Sequence, residues 1–269
     1  IDYVGILDGL RGKIPTLRTV MVLGEKIAEG MDSYESILEL GKDHENHADL
    51  KEIEEGMEED DVVFILYTSG TTGEPKGAML TNLNISKNAE QVAQVMKQNV
   101  DDVTLIVVPF FHCFGCVIGI SASVSASSGI VPMPSYDAEE ALTYMDMFDI
   151  SIVHGVPTMF IGYLETLKKK DFRLNSVRTG VMAGAPCPVE VMKGATDKMG
   201  ANIVIAYGLT EASPVITMTG PSDDIKDRVE TVGRALPEQE VMIVDDNNEP
   251  LPPGQTGELV VKGYNVMKG

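Results

Sequence analysis

Seven short runs rich in valine and isoleucine recur along this chain with helical stretches between them, and most are apolar at every position rather than at every second one. They fall at residues 19–23, 62–67, 104–109, 129–133, 150–154, 178–182 and 202–206. A strand with one wet face alternates apolar and polar side chains. One that is apolar on both faces must be covered by helices on both sides, as the strands of parallel sheets are. The rhythm therefore predicts an α/β fold of layered, mostly parallel β-sheets flanked by helices. At 269 residues the chain lies where one core stops growing, so subdivisions are expected.

Between the strands, residues 82–98 carry Val92, Val95 and Met96 at helical spacing, and residues 137–148 open on an acidic first turn that suits the helix dipole. Both read as surface helices. Residues 114–126 are small and apolar all round, which predicts a helix inside the core. The acidic stretch 47–61 reads as a solvated helix and linker. After about residue 221 the pattern changes to two short strands, 239–244 and 258–262, separated by the turn-rich DDNNEPLPPGQTG. The expected division is an α/β part over 1–220 and the start of a small, β-barrel-like subdomain over 221–269.

Asp and Glu total 41 against 21 Lys and Arg, a surface that repels nucleic acid and acidic lipid. No stretch approaches about 18 consecutive apolar residues, so no transmembrane segment is expected. Three cysteines, Cys113, Cys116 and Cys187, are too few and of the wrong parity for a disulfide framework, which suits a reducing compartment and points to the cytoplasm. Cys113 and Cys116 form a C-x-x-C pair beside His112, but no second pair of ligands follows, and the surroundings FFHCFGCVIGI favour packing as small hydrophobes.

The chemistry-bearing segment is YTSGTTGEPKG at residues 67–77. A strand ending at Tyr67 runs into Thr68, Ser69, Gly70, Thr71, Thr72 and Gly73, then Glu74, Pro75, Lys76 and Gly77. Its glycines let backbone amides approach an anion, its hydroxyls add donors and Lys76 adds charge, a combination that suits a polyphosphate. It is not a Walker loop, because Pro75 precedes the lysine and Gly77 stands where Ser or Thr is required.

The whole string resembles the phosphate loop of the adenylate-forming superfamily, which comprises acyl-CoA and aryl-CoA synthetases, peptide-synthetase adenylation domains and luciferase-like enzymes. Further segments occur in that family's order: PFFHCFG at 109–115, MAGAP at 182–186, AYGLTE at 206–211 and GELVVKGYNVMKG at 257–269. The resemblance covers essentially the whole chain. It implies that Thr68 to Gly73 and Lys76 bind the phosphates of ATP, and that Gly184, Ala185 and Pro186 lie against adenine. It further implies that Tyr207 covers the base, that Thr210 binds phosphate and that Glu211 holds Mg2+. A hard carboxylate oxygen is what magnesium prefers. Lys76, Thr210 and Glu211 become the expected catalytic residues, and His112, Val156 and Gly208 the expected acyl pocket. His154 lies near where the family narrows its acyl tunnel, and residues 231–234 and 257–259 read as structural turns.

The implied reaction joins a carboxylate to AMP with release of pyrophosphate, after which the thiol of coenzyme A displaces AMP. Carboxylate, ATP and coenzyme A are thus the expected partners. The chain shows neither the family's opening segment nor its ribose-binding Asp motif, hinge and C-terminal lysine, so it is expected to adenylate little by itself. A peptide-synthetase adenylation domain is the alternative within the superfamily, but HGVPTMF, MAGAP and AYGLTEASPV contain no acid placed to meet an α-amine. Small apolar segments fit an aliphatic or fatty acyl chain. A noncatalytic nucleotide-binding protein is the alternative from a different class.

Overall fold

A computed structural model describes residues 1–42, 48–68 and 73–269. The chain divides into two units, Ile1–Met57 and Glu58–Gly269. The first holds helices α1 (Tyr3–Arg11), α2 (Tyr34–Lys42) and α3 (Ala48–Glu55) and a two-residue parallel pair, β1 (Met21–Val22) with β2 (Asp32–Ser33). The run at 19–23 therefore supplies a short strand of this unit and none of the large sheet, because its partner is the neighbouring segment at 32–33.

The second unit opens on a hairpin, β3 (Val62–Thr68) with β4 (Lys76–Thr81), paired antiparallel from Val62↔Thr81 to Thr68↔Lys76. This corrects the expectation of a covered parallel strand at 62–67: Ile65 is 57 % exposed and Tyr67 74 %. An unbroken apolar run does not specify its pairing, and the segment eight residues downstream was the nearest edge available.

Helix α4 (Asn82–Met96) follows directly, held at its start by a capping box in which Thr81 Oγ1 accepts the Asn84 N–H and Asn84 Oδ1 accepts the Thr81 N–H. It is no surface helix. Asn84, Asn88 and Gln91 are buried together with Ile85, Val92 and Met96. Asn88 accepts the Val215 N–H at 3.1 Å and donates to the Val215 carbonyl at 2.8 Å. A polar stripe that reads as solvent-facing is instead buried, with Asn88 bonded to β10 and Asn84 to the carbonyls of Tyr264 and Val266.

The central sheet contains β5 (Val103–Ile106), β6 (Gly129–Pro132), β7 (Ile152–Val153), β8 (Thr179–Met182), β9 (Asn202–Gly208), β10 (Val215–Met218) and β11 (Arg234–Ala235). Their spatial order is β11-β10-β9-β8-β7-β5-β6. The five strands read from the sequence are parallel, whereas β10 and β11 join antiparallel at one end. Successive residues go to opposite faces. Ile106, Ile152, Val181 and Val204 pack with α4 and the π-helical segment Phe114–Ser121, which runs on into α5 (Ala122–Ser125). Leu105, Val153, Met182 and Ile203 pack instead with α6 (Ala138–Met147), α7 (Pro157–Leu167) and α8 (Val189–Met199). Both faces are covered, as apolar strands require. Helix α9 (Ile225–Glu230) precedes β11, and β12 (Gln239–Val244) pairs with β13 (Glu258–Gly263) as a separate antiparallel hairpin.

One buried ion pair ties the sheet to α4. Asp102 is 4 % exposed and receives Arg178 Nε at 2.8 Å, Ser151 Oγ at 2.7 Å and the Asn99 N–H at 2.9 Å. Arg178 also donates to the carbonyls of Met96 and Lys97, at 3.1 and 3.0 Å, and so closes the carboxyl end of α4.

His154 follows β7 and is completely buried; its Nδ1 accepts the Val181 N–H at 3.1 Å. Burial pushes its pKa down to about 3. An unfolded histidine titrates near 6.5, so between those values the unfolded chain takes a proton the folded one refuses. Stability is therefore expected to fall as pH drops below about 6.5, by at most about 1.4 kcal/mol per pH unit from this group. Nitrogen-detected NMR of the imidazole checks it: a neutral ring at pH 5 is expected, and a midpoint near 6.5 would sink the assignment.

Among the described residues no helix is long and apolar enough to cross a membrane.

Candidate active site

Parallel strands deliver whatever follows them to one edge of a sheet, and in open α/β sheets that edge is where ligands bind. Here β5 sends His112 there, β8 sends Gly184 to Pro186, and β9 sends Tyr207 to Glu211. Together with Thr68 at the end of β3, these residues line one cleft of about 1110 Å³.

The end of β9 is the most constrained part. Leu209 donates its N–H to the Pro214 carbonyl at 3.0 Å, so the chain folds straight back into β10. A Cβ on Gly208 would lie 1.8 Å from the Pro214 oxygen, and no side chain fits at that position. Residues Thr210–Ala212 then form one 3₁₀ turn. The Glu211 carbonyl accepts the Met267 N–H at 2.9 Å, and Asn265 donates to the Ala212 carbonyl at 3.3 Å. The Glu211 carboxylate is thus carried on a backbone fixed from two sides.

His112 Nδ1 accepts the Phe114 N–H at 3.0 Å. A backbone amide can only donate, so Nδ1 is unprotonated and Nε2 carries the ring proton of the neutral side chain. Beside it, Cys113 Sγ lies 3.7 Å from Thr210 Oγ1. Burial pushes the Cys113 thiol up, and neutral packing is its state at neutral pH. Gly184 has φ +84°, a left-handed conformation that glycine adopts freely, and Val156 Cγ1 stands 3.4 Å from where its Cβ would be.

The cleft does not gather every expected residue. Lys76 opens β4 opposite Thr68 and is exposed, outside the cleft lining, as is Gly73. Val156 is not among the residues that line the cleft, although its Cγ1 lies 3.4 Å from where a Cβ on Gly184 would be. Ser69, Gly70, Thr71 and Thr72 lie outside the described residues.

Sequence reading missed one whole wall. Residues 228–233, the end of α9 and the approach to β11, also line the cleft. The segment 231–234 reads as a structural turn, and its one signal was Gly233: φ is +82°, and a Cβ there would meet the Met218 oxygen at 2.0 Å. Cys113 and Cys187 also reach the cleft.

For a metal ion, the cleft is lined by two carboxylates, Glu211 at the end of β9 and Glu230 at the end of α9, and no group of three or more metal-ligating side chains occurs among the described residues. That suits magnesium arriving with a polyphosphate, since magnesium keeps several waters and takes few protein carboxylates.

The sequence profile of the AMP-binding enzyme family matches residues 10–269. The chain belongs to the AMP-binding enzyme family. Among curated relatives, the putative acyl-CoA synthetase YngI of Bacillus subtilis (strain 168) is 44 % identical over 259 residues, which is 96 % of this chain and 47 % of that protein. Among solved structures, ATP-bound MatB from Rhodopseudomonas palustris superposes with a TM-score of 0.71 at 30 % identity, over 79 % of this chain and 41 % of that one. The o-succinylbenzoate coenzyme A synthetase MenE of Bacillus subtilis, in complex with ATP and magnesium ion, gives 0.71 at 28 %, over 79 % and 43 %. These neighbours bear out the α/β fold and the adenylate-forming resemblance. The chain spans about half the length of the curated relatives it matches.

Proposed function

We propose that the protein containing this chain is an AMP-forming ligase that activates a carboxylic acid, fatty or otherwise aliphatic, with ATP and passes the acyl group to coenzyme A. The observation that carries this reading is the convergence of Thr68, His112, the 184–186 turn and the 207–211 turn on one cleft. They come from four separated segments, and their meeting at one cleft supports a shared ligand.

In the first step a carboxylate oxygen bonds to the α-phosphorus and the bond from that phosphorus to pyrophosphate breaks. In the second, the sulfur of coenzyme A bonds to the acyl carbon, AMP leaves, and the thiol proton passes to solvent. No protein nucleophile is needed, so the chain's task is positioning and charge. Gly184, Ala185 and Pro186 present bare backbone to the base, Tyr207 covers it, and Gly208 leaves room for the acyl-phosphate junction. The Thr210 hydroxyl donates to phosphate, as do Thr68 and the loop from Ser69, Gly70, Thr71 and Thr72 to Gly73, with Lys76 adding charge. The Nε2 proton of His112 faces the carboxylate. Magnesium, when bound, supplies neutralisation of the phosphates, and Glu211 is the side chain that holds it. Phe114, Ile118, Ala183 and Val215 line the same cleft with apolar surface, which supports an aliphatic acyl chain. The same reading makes residues 221–269 the start of a small β subdomain, and three buried free thiols support a cytoplasmic enzyme.

The test is ATP–pyrophosphate exchange by the full-length protein across a panel of straight-chain carboxylates, followed by coenzyme A thioester formation. Carboxylate-dependent exchange with AMP as the nucleotide product is expected. Release of ADP and phosphate, or exchange indifferent to the carboxylate, would rule the reading out.

A further inference from the structure

The turn that carries Glu211 is bonded to a segment that is also bonded to the phosphate-loop hairpin. After β13, residues 264–269 reach both β4 and the turn at Thr210–Ala212. Toward β4, the Lys268 N–H donates to the Met79 carbonyl at 2.9 Å and the Met79 N–H donates to the Gly269 carbonyl at 3.0 Å. Met79 lies three residues along β4 from Lys76, which pairs with Thr68 at the cleft. Toward the turn, the Met267 N–H donates to the Glu211 carbonyl at 2.9 Å and Asn265 Nδ2 donates to the Ala212 carbonyl at 3.3 Å. The carbonyls on either side of Asn265, those of Tyr264 and Val266, both accept from Asn84 Nδ2. Asn84 in turn belongs to the capping box with Thr81, the last residue of β4.

The turn's other bonds are local. Ala212 donates its N–H to the Leu209 carbonyl at 2.9 Å, Ser213 to the Thr210 carbonyl at 3.2 Å, and Leu209 to the Pro214 carbonyl at 3.0 Å. These fix the shape of the turn on β9 and β10, and none of them reaches the hairpin. The bridge through 264–269 is what sets the spacing between the two elements. Within it, among the described residues, Asn265 alone sends a side-chain hydrogen bond to the turn. Asn265 is fully buried, and its Oδ1 has no donor among the described residues. A buried amide with a bare oxygen contributes little net stability. What it supplies is a fixed place for the Ala212 carbonyl, one residue past the Glu211 carboxylate.

Resting on the reading of the cleft as the site of carboxylate activation, we propose that Asn265 is a positioning residue for the metal-bearing polyphosphate. Through the Ala212 carbonyl it holds the Glu211 carboxylate at a set distance from the β3–β4 hairpin. A triphosphate with its metal is gripped at both elements at once, so an error in their spacing falls on it directly. An acyl-adenylate has lost its pyrophosphate and no longer spans to the hairpin. The bridge therefore serves the first half-reaction and not the second.

The experiment measures the two half-reactions separately in the full-length wild type, Asn265→Ala and Asn265→Ser. ATP–pyrophosphate exchange is followed against magnesium concentration. Thioester formation is followed in EDTA from coenzyme A and the synthetic adenylate of the best straight-chain carboxylate in the panel. Calorimetry gives the Kd for ATP with and without magnesium, independent of turnover. Asn265→Ala is expected to raise the magnesium concentration for half-maximal exchange roughly 10- to 100-fold, the usual effect of removing a group that orients a metal-holding side chain. The preference for ATP with magnesium over ATP without it is expected to narrow by the same factor. Thioester formation from the adenylate is expected to stay within about threefold of wild type, far inside the range such a loss spans. Asn265→Ser, which keeps a donor on a shorter arm, is expected to fall between, and it carries the test if the alanine variant does not fold.

A merely structural asparagine would lower both half-reactions together, and that result overturns the proposal. An unchanged magnesium requirement in Asn265→Ala also overturns it. If neither variant folds, the side chain is needed for the fold itself and the proposal is overturned as well. Wild-type protein that shows no carboxylate-dependent exchange overturns the parent reading with it, whereas normal wild-type exchange with either of the first two results overturns this one alone.

Discussion

Exchanging Glu211 for glutamine in the full-length protein is expected to lower magnesium-dependent ATP–pyrophosphate exchange by roughly 100- to 1,000-fold, the usual cost of removing one preorganised group from a developing charge. The substitution keeps size and shape and removes only the negative charge. Its main chain is anchored through the Met267 N–H, not through the side chain, so the 3₁₀ turn is expected to persist. Thermal unfolding should then move little while turnover collapses, and raising magnesium should recover part of the rate. Exchange within threefold of wild type at ordinary magnesium would exclude Glu211 as the metal-holding residue.

The largest effect on stability is expected from Asp102→Asn. The carboxylate is buried and receives the Arg178 guanidinium through two nitrogens, as well as Ser151 and the Asn99 N–H. Removing its charge strands Arg178 against two helix carbonyls. Breaking a buried pair costs about 3–5 kcal/mol, and because the Arg178 side chain is 37 % exposed the expectation here is lower, about 2–4 kcal/mol. Urea unfolding of the full-length protein, read from the midpoint at unchanged slope, measures it. The pH dependence has a definite sign. Burial by itself raises the Asp102 pKa, but the bonds from Arg178, then Ser151 and Asn99, outweigh it, and the net shift is below 3.8. The pair's contribution is complete above the unfolded carboxyl's pKa and is lost as pH falls through the lower folded one. Above pH 5, Asp102→Asn should differ from wild type by a constant amount; a gap that widens between pH 5 and 8 would contradict the assignment.

The parallel core was legible because β5, β6, β7, β8 and β9 are each apolar on both faces, and that pattern has one common solution. The same pattern at 62–67 gave no warning of a hairpin, since the phosphate-loop reading took in Lys76 and Gly77, and the rest of the partner strand, AMLT at 78–81, is too short to announce itself. Val215 to Met218 and Arg234 to Ala235 were missed as strands: they are four and two residues long, and their place at the sheet edge depends on a partner rather than on pattern. At the site, Thr210, Glu211 and the 184–186 turn were singled out by their resemblance to the adenylate-forming motifs, since a strand end followed by a turn is common by itself, and the fold brings them to one cleft. Arg228 was not, because an arginine in DDIKDRVE has the composition of a solvated helix, and its burial comes from packing on α8 and β9. Local sequence states chemistry and period; it does not state which side chain the tertiary fold encloses.

Helix α4 grips β10 through one amide side chain, with Asn88 supplying both the acceptor and the donor that an adjoining strand would offer to Val215. The Val215 amide proton is therefore guarded by a helix instead of by a ladder. Its hydrogen–deuterium exchange becomes a single-site gauge of helix docking: it opens only when α4 lifts from the sheet, and it can be followed without labelling the active site or adding any substrate.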